Sequence, residues 1–159
     1  FTYEQTLEER QSFTPLFAAP PYALLPTDDP LVNEASVSLA DLADKPMIML
    51  DLPRTRAYFS AMFEAVGLHP NMVHSTRSTE ILRALVSAGH GYTLLNICPP
   101  DYSIGDARFR ALPLRDPGHV PIFGIVTLAG TRQPSIVDAF IQKCIELRDA
   151  GVFDEITVQ

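Results

Sequence analysis

Three of the twelve basic residues, Arg54, Arg56 and Arg77, fall in two short stretches, Asp51 to Arg56 and His74 to Ser78. Each stretch reads as a loop leading from an apolar run into a helical pattern. A guanidinium matches a carboxylate in two parallel hydrogen bonds. The free backbone N–H groups of a helix start add positive potential to the same place. Together they would make an anion site. The opposing reading is that these arginines are solvated loop charges, or structural partners of Asp51 and Glu80, since arginine is exposed by default. The residue types fit both readings.

For catalysis the sequence offers little. It has no GxSxG elbow, no HExxH and no phosphate-binding loop, and Gly89-His90-Gly91 follows a helical pattern where a dinucleotide fingerprint must follow a strand. His69, His74 and His119 have no Cys, Asp or Glu at ligand spacing, so no metal site is expected. Ser75 next to His74 cannot pair with it as nucleophile and base, because neighbours on a strand point to opposite faces. Cys98 and Cys144 show no CxxC spacing and read as two buried reduced thiols. No cofactor is called for.

Residues 75 to 97 position the second loop. Ile81, Leu82, Leu85 and Val86 recur at helical spacing and should share a buried face, with Arg83 and Ser87 opposite. Ser78 or Thr76 can cap the start, Glu80 suits the positive end of the dipole, and Gly89 ends the helix. Tyr92 to Leu95 then reads as a strand. Upstream, Ser38-Leu39-Ala40-Asp41 is a capping box opening a short helix, and Met47 to Leu50 is an apolar run of the kind covered on both faces. A helix with Tyr58, Phe59, Met62, Phe63 and Val66 on one side ends at Gly67, and Met72-Val73 forms a further strand. The order helix, strand, helix, strand, helix, strand over 38 to 96 gives a three-layer α/β lobe with a parallel sheet.

The flanks are less regular. Phe1-Thr2-Tyr3 has strand preference, residues 4 to 12 read as a loop or short helix, and Tyr22 to Leu25 is a short buried strand closed by Pro26. Pro99-Pro100 and Gly105 mark an exposed connection. Phe109 to Leu114 and Val120 to Leu128 are strand candidates, the latter with a bulge or close approach at Gly124. Residues 132 to 149 form a last helix with Ile136, Val137, Phe140, Ile141, Cys144 and Ile145 as its apolar stripe.

A formal net charge of −7 argues against a nucleic-acid surface in this chain, because such affinity comes from clustered Lys and Arg. No apolar run approaches the roughly 18 to 20 residues of a membrane span, and the start lacks the shape of a signal peptide. A cytoplasmic protein without membrane contact is expected.

The ordered set VSLADLADKPMIML, RAYFSAMFEAVGLHPNMV and STEILRALVSAGHGYTLLN resembles the effector-binding domain of LysR-type transcriptional regulators. PLFAAPPYALLPTDDPLV resembles that family's first crossover, and SIVDAFIQKCIEL its final helix. Asn96 stands where the family commonly has proline. The resemblance implies a type II periplasmic-binding-protein-like α/β architecture: two parallel-sheet lobes joined by two crossover strands near 22–28 and 119–127. Residues 1–22 and 129–159 would form a first lobe truncated on its N-terminal side, and 23–128 the second. It further implies an effector in the cleft between the lobes, a small anionic metabolite, held by Thr2 and Tyr3 from the first lobe. Leu52, Pro53, Arg54 and Thr55, then Thr76, Arg77 and Ser78, and the strand start Tyr92, Thr93 and Leu94 would hold it from the second. Closing the lobes would signal to a winged helix-turn-helix domain absent from this chain, which would make all DNA contact. A homodimer or higher homo-oligomer is expected, and no enzyme activity. A periplasmic-type solute-binding protein of the same architecture is the alternative, and an α/β enzyme is a third reading.

Overall fold

The computed structural model describes residues 1–4, 9–98, 108–131 and 133–158. In chain order the strands and helices are β1 (Thr2–Tyr3), β2 (Gln11–Ala18), β3 (Tyr22–Pro26), α1 (Leu39–Leu42), β4 (Pro46–Leu50), α2 (Pro53–Ala65) and β5 (Asn71–Thr76). There follow α3 (Thr79–Ser87), β6 (Thr93–Leu95), β7 (Phe109–Pro113), β8 (Ile122–Leu128) and α4 (Ser135–Asp149). The chain divides into two compact units: Phe1–Ala19 with His119–Thr157, and Pro20–Gly118 with Val158–Gln159.

The larger unit is built around β4, whose Met47, Ile48 and Met49 are fully buried. β4 pairs in parallel with β5, ending at the register Leu50↔Thr76. A parallel bridge between Met47 and Tyr92 joins β4 to the start of β6, and β6, β3 and β7 form an antiparallel group in that order. The parallel expectation therefore describes β5, β4 and β6, while β3 runs against them and β7, antiparallel to β3, runs in their direction. Among the described residues β4, β5 and β6 are linked by helical crossovers, which fix a parallel direction. The single turn α1 between β3 and β4 is too short to be one.

Local chemistry accounts for the helices of this unit. Ser38 accepts the Asp41 N–H at 3.2 Å and Asp41 accepts the Ser38 N–H at 2.8 Å, completing the expected capping box. The Ser38 hydroxyl donates to the same carboxylate at 2.7 Å, and this bond, with the one from the Ser38 N–H, holds the Asp41 carboxyl below its usual range. Pro53 at the first turn opens α2, so Arg54 and Thr55 are helical where a loop was expected; proline's fixed φ is already that of a helix. Phe59, Met62 and Phe63 are buried beneath α2, but Val66 lies past its end and is exposed. On α3 the buried face is narrower than expected: Leu82 and Val86 are buried, Leu85 half-buried, and Ile81 is 55% exposed. An i, i+4 pair covers this helix where four positions were expected.

The smaller unit is a three-stranded antiparallel sheet in the order β1-β8-β2, with α4 against it. β2 begins at Gln11, within the polar and charged stretch 4 to 12 where a loop or short helix was expected. Here Pro15 sits on an edge strand beside a register shift between Pro15 and Phe17, a place where proline is tolerated. Gly124 on β8 provides the close approach: a Cβ there would stand 2.3 Å from the Thr14 carbonyl oxygen and 2.6 Å from the Phe13 ring. Phe123 gathers the rings of Phe1, Tyr3 and Phe17 at centroid distances of 5.9, 5.2 and 5.4 Å. On α4, Cys144 is buried and Val137, Ile141 and Ile145 half-buried, but Ile136 and Phe140 are exposed, so a third of the expected stripe is uncovered. Cys98, in the larger unit, is only half-buried, against expectation, and both cysteines are free. Pro99-Pro100 and Gly105 lie outside the described residues. No helix among the described residues is long and apolar enough to cross a membrane.

Candidate functional site

Because Leu50 and Thr76 are register partners, the chain leaves β4 and β5 side by side and enters α2 and α3 from the same edge of the sheet. The Asp51 N–H donates to the Thr76 carbonyl at 2.8 Å, fastening the two exits together. Leu52, Pro53, Arg54 and Thr55 are thereby brought beside Thr76, Arg77 and Ser78. Ser78 accepts the Ile81 N–H at 3.3 Å as the cap of α3, and Thr76 accepts the Ser78 N–H at 3.2 Å one step earlier, so both candidate caps are used. α2 has no side-chain cap, which leaves its first-turn donors free of a protein acceptor of that kind.

The three arginines separate here. The Arg56 Nε donates to the Asp51 carboxylate at 2.8 Å, a structural pair of the sort weighed above. Arg54 and Arg77 are exposed, one in the first turn of α2 and one just before the cap of α3. This edge therefore presents two guanidinium groups and an uncapped helix start, an arrangement suited to a small anion.

The structure places Tyr92, Thr93 and Leu94 elsewhere. Tyr92 lies beside Met47 at the opposite end of the strands, its N–H donating to the Pro46 carbonyl at 2.9 Å. Counting along the parallel pair, Leu95 is the residue level with Leu50, about 10 Å beyond Tyr92 at about 3.3 Å per residue. A strand's residues can be recognised in sequence, but which of them reaches the loop edge depends on register. Tyr92 instead lines a cavity of about 260 Å³ with Asp28, Asp29, Lys45 and Pro46, where Lys45 bridges Asp29 at 2.8 Å. Its buried hydroxyl makes no hydrogen bond among the described residues, and burial raises its pKa. The Thr93 hydroxyl is likewise buried without a partner, and Leu94 is 1% exposed. The residue that register brings to the edge is half-buried Asn96. A polar residue directly following an apolar strand was its signal.

Thr2 and Tyr3 belong to the smaller unit, where they pair with Gly124 and Phe123 on β8. Burial raises the Tyr3 pKa. Among the described residues no group of three or more His, Cys, Asp and Glu side chains is placed to hold a metal.

The profile of the LysR substrate binding domain matches residues 1–148. This chain belongs to that family. It is 28% identical over 127 residues to the HTH-type transcriptional regulator CysB of Burkholderia cenocepacia, covering 79% of this chain and 39% of that protein. The chain thus spans less than half the length of that curated relative. A LysR family transcriptional regulator from Pseudomonas aeruginosa superposes with a TM-score of 0.77 at 32% identity, covering 91% of this chain and 50% of the other. The BenM effector binding domain, solved with its effector benzoate, superposes with a TM-score of 0.77 over 95% of this chain and 69% of its own. At 19% identity that last likeness concerns the fold alone. The fold is that of LysR effector-binding domains, the type II periplasmic-binding-like class.

Proposed function

We propose that this LysR-family chain is the ligand-sensing part of a DNA-binding transcription regulator, and that it recognises a small anionic metabolite. The observation that carries the reading is the edge where α2 and α3 start side by side, with Arg54 and Arg77 exposed on it. Leu52, Pro53, Thr55, Thr76 and Ser78 would complete the wall, with Asn96 joining from β6. Benzoate, the effector bound by BenM, is a carboxylate, which supports the same class here. Tyr92, Thr93 and Leu94 would act only by shaping the sheet behind the wall.

Ligand binding changes an equilibrium only through a difference in affinity between two conformations. In this reading the bound anion favours one arrangement of the domain, and a DNA-binding part outside this sequence registers the change. With a net charge of −7, this chain would leave phosphate contact to that part. The regulator would work in the cytoplasm as a homodimer or higher homo-oligomer, and sedimentation at high concentration would show a species heavier than the monomer.

Calorimetry on the product of the complete reading frame, with a panel of small carboxylates that includes benzoate, tests the site. A ligand from the panel should bind, and Arg54→Ala and Arg77→Ala should each weaken it about tenfold or more, the value of a charge-assisted hydrogen bond. No heat across the panel, or an affinity unchanged in both variants, overturns the anion site.

A further inference from the structure

We propose that His74 and His90 form a two-histidine site for a divalent first-row transition ion of the zinc or copper type. His74 lies on β5 and His90 on the connection from α3 to β6, 16 residues apart in sequence; their ring centroids are 5.9 Å apart and their planes stand at 87°. With a metal–nitrogen bond of about 2.1 Å and about 1.2 Å more to each ring centre, imidazoles sharing one ion hold their centroids about 5 to 6.5 Å apart. The observed separation falls in that window with no movement of the backbone.

The backbone on both sides is fixed. His74 is opposite Ile48 in the β4–β5 ladder. The His90 N–H donates to the Leu85 carbonyl at 3.1 Å, and its neighbours Gly89 and Tyr92 donate to Val86 at 2.9 Å and Pro46 at 2.9 Å. Gly91 lies so close to β4 that a Cβ would come within 2.2 Å of the Pro46 carbonyl oxygen. The Gly89-His90-Gly91 triplet, which is no dinucleotide fingerprint, thus presents an imidazole from a connection held by two bonds to the end of α3 and by one bond and a close approach to Pro46 of β4. Both histidines are exposed, which leaves the remaining coordination positions to water. Imidazole donors suit zinc, copper and nickel, whereas magnesium and calcium prefer oxygen. Such an ion would clip the edge strand β5 to the start of β6.

The test is zinc binding by the purified protein, read by competition with a chromophoric chelator, together with copper(II) electron paramagnetic resonance. One zinc per chain is expected, with nitrogen hyperfine structure from the copper form. His74→Ala and His90→Ala should each weaken zinc about tenfold or more, since one ligand cannot hold what two did. His69→Ala, His119→Ala and Cys98→Ser should retain the parent affinity. Circular dichroism should be the same in all five variants. Absence of zinc uptake, full affinity in His74→Ala or His90→Ala, or a loss confined to Cys98→Ser overturns the proposal.

Discussion

The two units bury their side chains in different ways. In the larger unit, one apolar cluster includes Leu25, Met47, Met49, Phe59, Phe63 and Tyr92, and a second, on the other side of the sheet, includes Tyr22, Ile48, Leu50, Leu82 and Val86. β4 supplies both in alternation, so its side chains are covered above and below. In the smaller unit, among the described residues, Leu16, Ile125 and Cys144 form a small buried cluster, and much of the packing passes through partly exposed aromatic rings around Phe123. A sheet covered on both faces produces an unbroken apolar run that can be read from sequence. A sheet covered on one face, with rings at its margin, produces an irregular pattern.

Substitutions can break this comparison, beginning with the core. Phe59→Ala removes a fully buried ring from the larger unit and should cost about 3–5 kcal/mol. Phe140→Ala in the smaller unit, where the ring is 49% exposed, should cost less than about 1 kcal/mol. Urea denaturation measures both; equal losses would abolish the distinction. Gly124→Ala probes a tight place of the smaller unit. The added Cβ meets backbone and a ring across the β8–β2 ladder, so a loss of about 1–3 kcal/mol is expected, visible as a lower denaturation midpoint.

The next effect is smaller and depends on pH. Ser38→Ala removes a capping box and should cost about 1 kcal/mol near neutral pH. Asp41 has a lowered pKa in the folded state, so the stability it contributes is present above the unfolded carboxylate value. It is lost as pH falls through the folded value. The gap between wild type and Ser38→Ala should therefore narrow below about pH 4. Melting curves at pH 3 and pH 7 measure this; a gap that widens in acid would contradict the assignment. Arg56→Ala should do least, less than about 1 kcal/mol, because its partner Asp51 and itself are both 42% exposed.

The same contrast explains what could be read in the sequence. The capping box at Ser38, the helix stop at Gly89 and the strand Met47 to Leu50 depend on neighbours within a few residues, and each stands where expected. The start of α2 was set too late because Pro53 was taken as loop punctuation, although proline is equally at home in a helix's first turn. The first residues of β2 were hidden by the polar and charged composition of 4 to 12, since the pairing of Gln11 and Ser12 with Leu128 and Thr127 is a matter of register that sequence does not display. The arginine-bearing edge was legible because each of its loops stands between a strand pattern and a helical pattern. The position of Tyr92 was not, since only pairing with Met47 reveals which end of β6 it occupies. Exposure of Ile81 and Ile136 was hidden for a related reason: helical spacing defines a face but not how much of it a neighbour covers.

The place of β4 also sets a clock within the sheet. Its amide groups lie between β5 and the start of β6, with the Ile48 N–H donating to the Tyr92 carbonyl at 2.8 Å. Among the described strands β5 pairs with β4 alone, and Asn71 to Ser75 are exposed. In deuterated solvent the Ile48 amide should keep its proton until the whole unit opens, while the outward amides of β5 exchange through local fraying. Two strands 4.7–4.9 Å apart, by the usual spacing of about that size, would then mark nearly the full span of exchange lifetimes in this unit.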